Sequence, residues 1–321
     1  MVKRRGKRSE RGVALLVVLL GLALMTLIVV DFASESGLGF VSAANQANEI
    51  RAYYLARSAT GAGLALLAQS ARMQMMAQQQ QPADSLQDPW AVPFPPLNLD
   101  GGQVSLSIVD EARKLNINLL LTNEGQPNQQ QLMIFERLFT ILGVDPRILP
   151  AILDWLDPDS IESPGGGGGE TDFYLRLKPP YQARNSPMPT IGDLKMVRGV
   201  TDAVFNRIAP FITVMPETQV NANTAPPEVL MALDPQLMED TKGVKEIIAA
   251  RMIRPFTQST DVANLPDIQS FGSRISQLLT TRSQFFTITG IGTYAGARKI
   301  VTSTFHREQT GVGTLTVWHE E

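Results

Sequence analysis

The chain has 321 residues, 44% hydrophobic and 18% charged, with no cysteine and only two histidines, His306 and His319. That composition supports a sizeable core in one large or two modest domains. It excludes disulfides, thiolate zinc sites and cysteine nucleophiles, and leaves little material for imidazole chemistry. The first twelve residues hold six basic side chains against one acidic, so of a formal net charge of −3 the remainder carries −8. An acidic body argues against nucleic acid as a partner, because phosphate binding needs clustered Lys and Arg.

The basic residues Lys3, Arg4, Arg5, Lys7, Arg8 and Arg11 precede Gly12, and no further charge occurs until Asp31. As a helix, Val13 to Val30 spans roughly 27 Å, enough to cross a bilayer core. The basic flank sets its own end in the cytoplasm and the remainder outside. A secretory leader would have a shorter apolar region and a small-residue cleavage site, for which Phe32-Ala33-Ser34 is a poor substitute. An uncleaved single-pass anchor is the plain reading. A basic leader, a glycine and an unbroken apolar helix also resemble the N-terminus of type IV pilins and pseudopilins. That resemblance implies a leader over 1–12, cleavage between Gly12 and Val13 by a prepilin peptidase, and methylation of Val13. Such proteins usually carry Glu at the fifth mature position, to neutralise a neighbouring subunit's amine in an apolar bundle; here it is Val17. An unpaired buried charge is costly, so a subunit without that carboxylate suits the filament tip, where no such neighbour exists.

Helix-forming residues continue from the transmembrane segment 13–30 through 31–77 without proline, giving a stem on the order of 95 Å long. Ala47, Ile50, Tyr53, Tyr54, Leu64 and Leu67 fall on one helical face together with Arg57. Sustained heptads are missing, which disfavours a coiled coil. Gly37, Gly39, Gly61 and Gly63 are points where the stem could bend. Residues 78–101 are a glutamine- and proline-rich linker. From Gly102, Q-V-S-L-S-I-V-D alternates as a half-buried strand does, and three more strand-like runs close the chain after about residue 281. Between them, 115–280 reads mostly as helix. The expected fold class is α+β: a long N-terminal helix, and a head of 102–114 and 281–321 with a small antiparallel sheet. A large helical insertion separates its first strand from the later ones.

The insertion echoes itself. K-L-N-I-N at 114–118 and Q-V-N-A-N-T-A-P-P-E at 219–228 share an apolar-Asn-x-Asn core, which suggests two similar subdomains over about 115–200 and 215–280. Asn and Thr there suit helix starts, and Pro226 and Pro227 suit a first turn. The second segment also looks like a helix-hairpin-helix DNA-binding module. Yet Asp234, Glu239 and Asp240 stand where phosphates would lie, and like charge there is unfavourable.

Residues 151–174 carry the densest chemistry: Asp154, Asp157, Asp159, Glu162, Glu170 and Asp172 flank five glycines, Gly165 to Gly169. Hard oxygens on a flexible loop suit calcium, although the spacing is not that of an EF-hand. A solvated acidic loop remains open as an alternative. A glycosidase-like carboxylate pair is another, but nothing else in the chain builds a sugar cleft.

Several motifs together carry a specific resemblance: the pilin-like start without Glu, D-E-A-R-K-L-N-I-N, D-W-L-D-P-D, G-G-E-T-D-F-Y, P-P-Y-Q-A-R-N-S-P-M, D-L-K-M-V-R-G-V and V-N-A-N-T-A-P. The chain resembles the K-type minor pseudopilins of type II secretion, the general secretion pathway protein K family. The resemblance implies a non-enzymatic subunit in the inner membrane, N-terminus cytoplasmic and head periplasmic. There it would cap the pseudopilus tip and support protein export. Implied partners are the I-type and J-type minor pseudopilins, other pseudopilins, the prepilin peptidase and secreted proteins. The family also implies calcium in the head, carried over to Asp154, Asp157, Asp159, Glu170 and Asp172. From another class, a membrane-anchored DNA-binding protein of competence or type IV pilus systems is the competing reading.

Overall fold

The computed structural model describes residues 9–76, 82–165, 168–307 and 313–320. Residues 1–8, within the expected leader, residues 77–81, Gly166, Gly167, residues 308–312 and Glu321 lie outside them. One helix, α1 (Ser9–Met76), runs unbroken for 68 residues and passes straight through its glycines. Its most apolar 18-residue window has a mean hydropathy of 3.1, and none of that window is buried.

Two strands follow, β1 (Leu97–Leu99) and β2 (Gly102–Asp110). The insertion then opens with β3 (Leu115–Asn116), continues through α2 (Gln129–Ile141), α3 (Leu149–Leu156), α4 (Thr171–Tyr174) and α5 (Asp202–Ile208), and reaches β4 (Ile212–Thr213). A second passage repeats this plan. It consists of β5 (Val220–Asn221), α6 (Pro227–Leu233), α7 (Pro235–Glu239), α8 (Lys242–Ile253), α9 (Ser259–Ala263), α10 (Gly272–Ser276) and β6 (Leu279–Thr280). β3 pairs with β4 and β5 with β6, both in parallel, so each passage is clasped where it begins and ends. The chain closes with β7 (Phe285–Tyr294), β8 (Ala297–Arg307) and β9 (Gly313–Glu320). The head sheet has the order β1-β2-β7-β8-β9 and is antiparallel throughout. The fold is α+β, with β2 joined to β7 across the whole insertion. The two passages share one hydrophobic core, running from Leu115 to Leu279, so they are not separate bodies.

The distal half of α1 lies on the sheet, and its buried face only partly matches the one its bulky residues suggest: Leu67 is buried and Leu64 packs beside it, but the rest of the seam is offset. Ala52, Leu55, Ala56, Ala59 and Leu67 are buried, whereas Ile50 and Tyr54 are exposed. The cause lies on β7. A Cβ at Gly290 would sit 2.1 Å from the Ala56 carbonyl oxygen, and one at Gly292 2.0 Å from that of Ala52. Helix backbone therefore rests almost directly on sheet backbone at these two points, which selects alanine at positions 52 and 56. Part of the stretch read as a linker is packed as well. Trp90 meets Phe286 edge-on at 5.1 Å, and fully buried Asp84 accepts 2.8 Å hydrogen bonds from Arg307 Nη1 on both carboxylate oxygens. This pair ties the stem's exit to the end of β8.

Candidate metal centre

The acidic segment begins on α3, whose sequence L-P-A-I-L-D-W-L buries nearly every position. Helical spacing carries Asp154 inward with its apolar neighbours, and it is fully buried. Its oxygens are met by backbone: Oδ1 accepts from Ser163 N–H and Oδ2 from Gly169 N–H, each at 2.8 Å. Asp154 thus fastens both limbs of the glycine loop to the end of α3. A Cβ at Gly168 would lie 2.4 Å from Asp154 Oδ2, and one at Gly169 2.7 Å from Tyr174 Oη, so neither position has room for a side chain.

Asp157 caps the C-terminus of α3, and Glu170 precedes α4 without capping it by its side chain. One oxygen each from Asp154, Asp157 and Glu170 lie within 4.8 Å of one another. Asp157 Oδ1 and both Glu170 carboxylate oxygens are buried with no hydrogen-bond partner. Among the described residues, no Lys or Arg forms an ion pair with any of the three. Burial, and then the charges of Asp159, Glu170 and Asp154, push the Asp157 carboxyl up to about 7. Burial and the Asp154 charge also raise Glu170. A divalent cation would meet the unpartnered oxygens and reverse the repulsion, and the donors are the hard oxygens that calcium prefers.

Of the residues the sequence marks out, the structure brings together Asp154, Asp157 and Glu170. Asp159 and Asp172 lie outside that group and are exposed. Asp159 Oδ1 instead accepts from Ile161 N–H at 2.7 Å, and Asp172 sits in the first turn of α4. One more unpartnered buried oxygen belongs to Asn185, which the sequence does not mark out and which has a φ of 49°. Its N–H donates to the Trp155 carbonyl at 3.0 Å and its Nδ2 to the Asp159 carbonyl at 3.1 Å, leaving a buried Oδ1 unpartnered. P-Y-Q-A-R-N-S-P holds no acidic residue, so nothing in its pattern signals a metal. Gly12 and Val13 lie inside α1, both exposed.

In the segment resembling a DNA-binding hairpin, Asp234 is buried. It accepts from Gln236 N–H at the start of α7 and pairs with Arg274 at 3.1 Å.

Two family models match the chain, over residues 113–217 and 220–282, both described as type II secretion system (T2SS), protein K. A type II secretion system protein K from Pseudomonas aeruginosa is 29% identical over 312 residues, covering 95% of this chain and 91% of the relative. One from Klebsiella pneumoniae is 27% identical over 276 residues, covering 79% and 82%. Among solved structures, a chain of the GspK-GspI-GspJ complex from the enterotoxigenic Escherichia coli type 2 secretion system superposes with a TM-score of 0.70 at 19% identity. The match covers 87% of this chain and 99% of that one.

Proposed function

The chain belongs to the type II secretion system protein K family, and from that premise we propose that it is a non-enzymatic minor pseudopilin. In this reading it caps the tip of the pseudopilus and supports export. One observation carries the proposal: a single helix has a wholly unburied apolar half and an alanine-seamed half packed on a sheet. Apolar surface of that extent needs lipid or other helices around it, first as an inner-membrane anchor and then as a filament stem. The head stands on the periplasmic side, by the charge of the N-terminal flank. Cleavage at Gly12–Val13 and methylation of Val13 would release the stem for assembly. Val17, in place of a carboxylate, favours the end of the filament, where no neighbouring amine needs a partner.

The similar solved chain belongs to a GspK-GspI-GspJ complex, and the I-type and J-type minor pseudopilins are proposed as partners here. Calcium would be held by Asp154, Asp157 and Glu170, with Asn185 supplying a neutral oxygen. The ion would stabilise the loop by neutralising buried carboxylates. Fit rests on the orphaned oxygens of Asp157, Glu170 and Asn185. Affinity purification of the full chain from detergent-solubilised membranes tests the assembly. The I-type and J-type subunits are expected to co-purify in near-equal amounts, and their absence from a preparation that retains the other pseudopilins would contradict it.

A further inference from the structure

Arg198 lies between the turn at Ile191–Met196 and α5, outside the acidic loop, yet it touches that loop at three points. Its Nη1 donates to the Gly168 carbonyl at 2.6 Å, its backbone N–H donates to Tyr174 Oη at 3.0 Å, and its guanidinium stands 4.3 Å over the Phe173 ring. The first contact matters most. The carbonyl of Gly168 and the N–H of Gly169 belong to one peptide group, and that N–H donates to Asp154 Oδ2 at 2.8 Å. Guanidinium, peptide and carboxylate therefore form a chain of charge-assisted hydrogen bonds in which each bond polarises the next. Glu170 is the next residue along the chain, so the orientation of this peptide fixes where its carboxylate starts.

Tyr174 completes the arrangement. It is fully buried, stacked on Tyr181 at 5.1 Å and edge-on to Trp155 at 5.1 Å. Its hydroxyl is therefore a rigid acceptor for the Arg198 N–H. The absence of a Cβ at Gly169 lets the loop pass between that hydroxyl and the Arg198 side chain, which would lie 2.7 and 3.3 Å from such an atom.

We propose that Arg198 is a positioning residue for the acidic loop's cation site, acting through the Gly168–Gly169 peptide rather than touching the ion. The proposal rests on the calcium reading of Asp154, Asp157 and Glu170. It assigns Arg198 the part played by outer residues that orient metal ligands, whose loss typically weakens affinity roughly 10–100-fold. Arginine is well suited to this role, because its planar fork donates to a carbonyl while its face lies on an aromatic ring.

Calcium titration calorimetry on the full chain in detergent micelles tests this, with wild type, Arg198→Ala, Arg198→Lys and Asp172→Asn compared at one ionic strength. Arg198→Ala should weaken calcium binding roughly 10–100-fold. Arg198→Lys, which keeps charge and donor but not the planar stack, should recover only part of that loss, and Asp172→Asn should bind like wild type. A calcium Kd for Arg198→Ala within twofold of wild type would overturn the proposal while leaving the metal site standing. No binding by the unsubstituted protein overturns the calcium reading itself, and Arg198's part with it. If Arg198→Ala loses cooperative unfolding in chelator, Arg198→Gln takes its place, keeping a planar donor without charge, and its Kd is judged by the same twofold limit.

Discussion

Asn118 and Asn223 hold equivalent places in the two passages of the insertion. Asn118 exchanges two hydrogen bonds with the backbone of Met188, at 3.0 and 2.8 Å, and Asn223 does the same with Phe256, at 2.9 and 2.8 Å. Two residues earlier, Asn116 and Asn221 each accept from the N–H of the later asparagine and stand in the parallel clasps. The frame is repeated, but the charges on it are not handled alike. In the second passage, buried Asp234 has a helix start and Arg274 to answer it. In the first, Asp157 and Glu170 keep buried oxygens with no partner. Acidity is common to both passages. Unanswered acidity separates them, and it is the feature that points to a cation.

The largest expected effect breaks the shared frame. Asn223 is 1% exposed, and Asn223→Ala strands the Phe256 N–H and carbonyl in the core, costing about 2–4 kcal/mol. Asn118→Ala should cost less, because Asn118 is only half-buried. Urea unfolding of the full chain in micelles measures both, and equal losses would show that the frames differ in energy from what their burial implies. Next, Gly168→Ala forces a Cβ against Asp154 Oδ2 and should cost about 1–3 kcal/mol. The same unfolding curves read that loss, and they should show the variant indifferent to calcium.

Asp110, at the root of the second passage, gives a gentler contrast. It is buried but fully partnered, by Ala112 N–H, Asn221 Nδ2 and the Thr224 hydroxyl. Burial still pushes its carboxyl up from 3.8 to about 7, against those hydrogen bonds and with help from the Asp84 charge. Between those two values the folded protein holds the proton that the unfolded chain has released. Stability contributed by this group is therefore full below about pH 4 and is lost as pH rises through about 7. Asp110→Asn should reduce the slope of melting temperature across that window, leaving the share that Asp157 contributes there, and an unchanged slope would assign the pH dependence elsewhere. Smallest of all, Asp172→Asn should shift stability by under about 0.5 kcal/mol and leave the calcium response intact, since Asp172 is exposed and outside the cluster.

Much of the fold is legible in the sequence. Alternation in G-Q-V-S-L-S-I-V-D and F-F-T-I-T-G-I-G-T-Y marks β2 and β7, because a half-buried strand writes its period into neighbouring residues. The L-N-I-N and V-N-A-N echo marks the two clasps for a similar reason: the first asparagine of each pair, Asn116 and Asn221, serves backbone two residues away. Residues whose role depends on distant chain are hidden. Alanines 52, 56 and 59 are chosen by glycines on β7, more than two hundred residues later in the sequence. The small residues 52, 56, 59 and 63 do recur at helical spacing, but apolar bulk marks a packing face more loudly than alanine does, so the exposed Ile50 and Tyr54 look like part of it. Arg198 and Asn185 likewise reach the acidic loop from segments with no acidic pattern of their own. Asp159 and Asp172 share the composition of the buried carboxylate cluster but not its position.

The most direct measurement is thermal unfolding of the full-length protein in detergent micelles, with calcium and with chelator. Ion binding to the folded form alone would add about 2.7 kcal/mol at a hundredfold excess over Kd. Wild type should therefore melt higher in calcium, and replacing Asp157 and Glu170 with Asn and Gln should bring the two curves together. Identical curves for the wild-type protein would contradict the account, leaving the first passage with no cation for its unpartnered carboxylates.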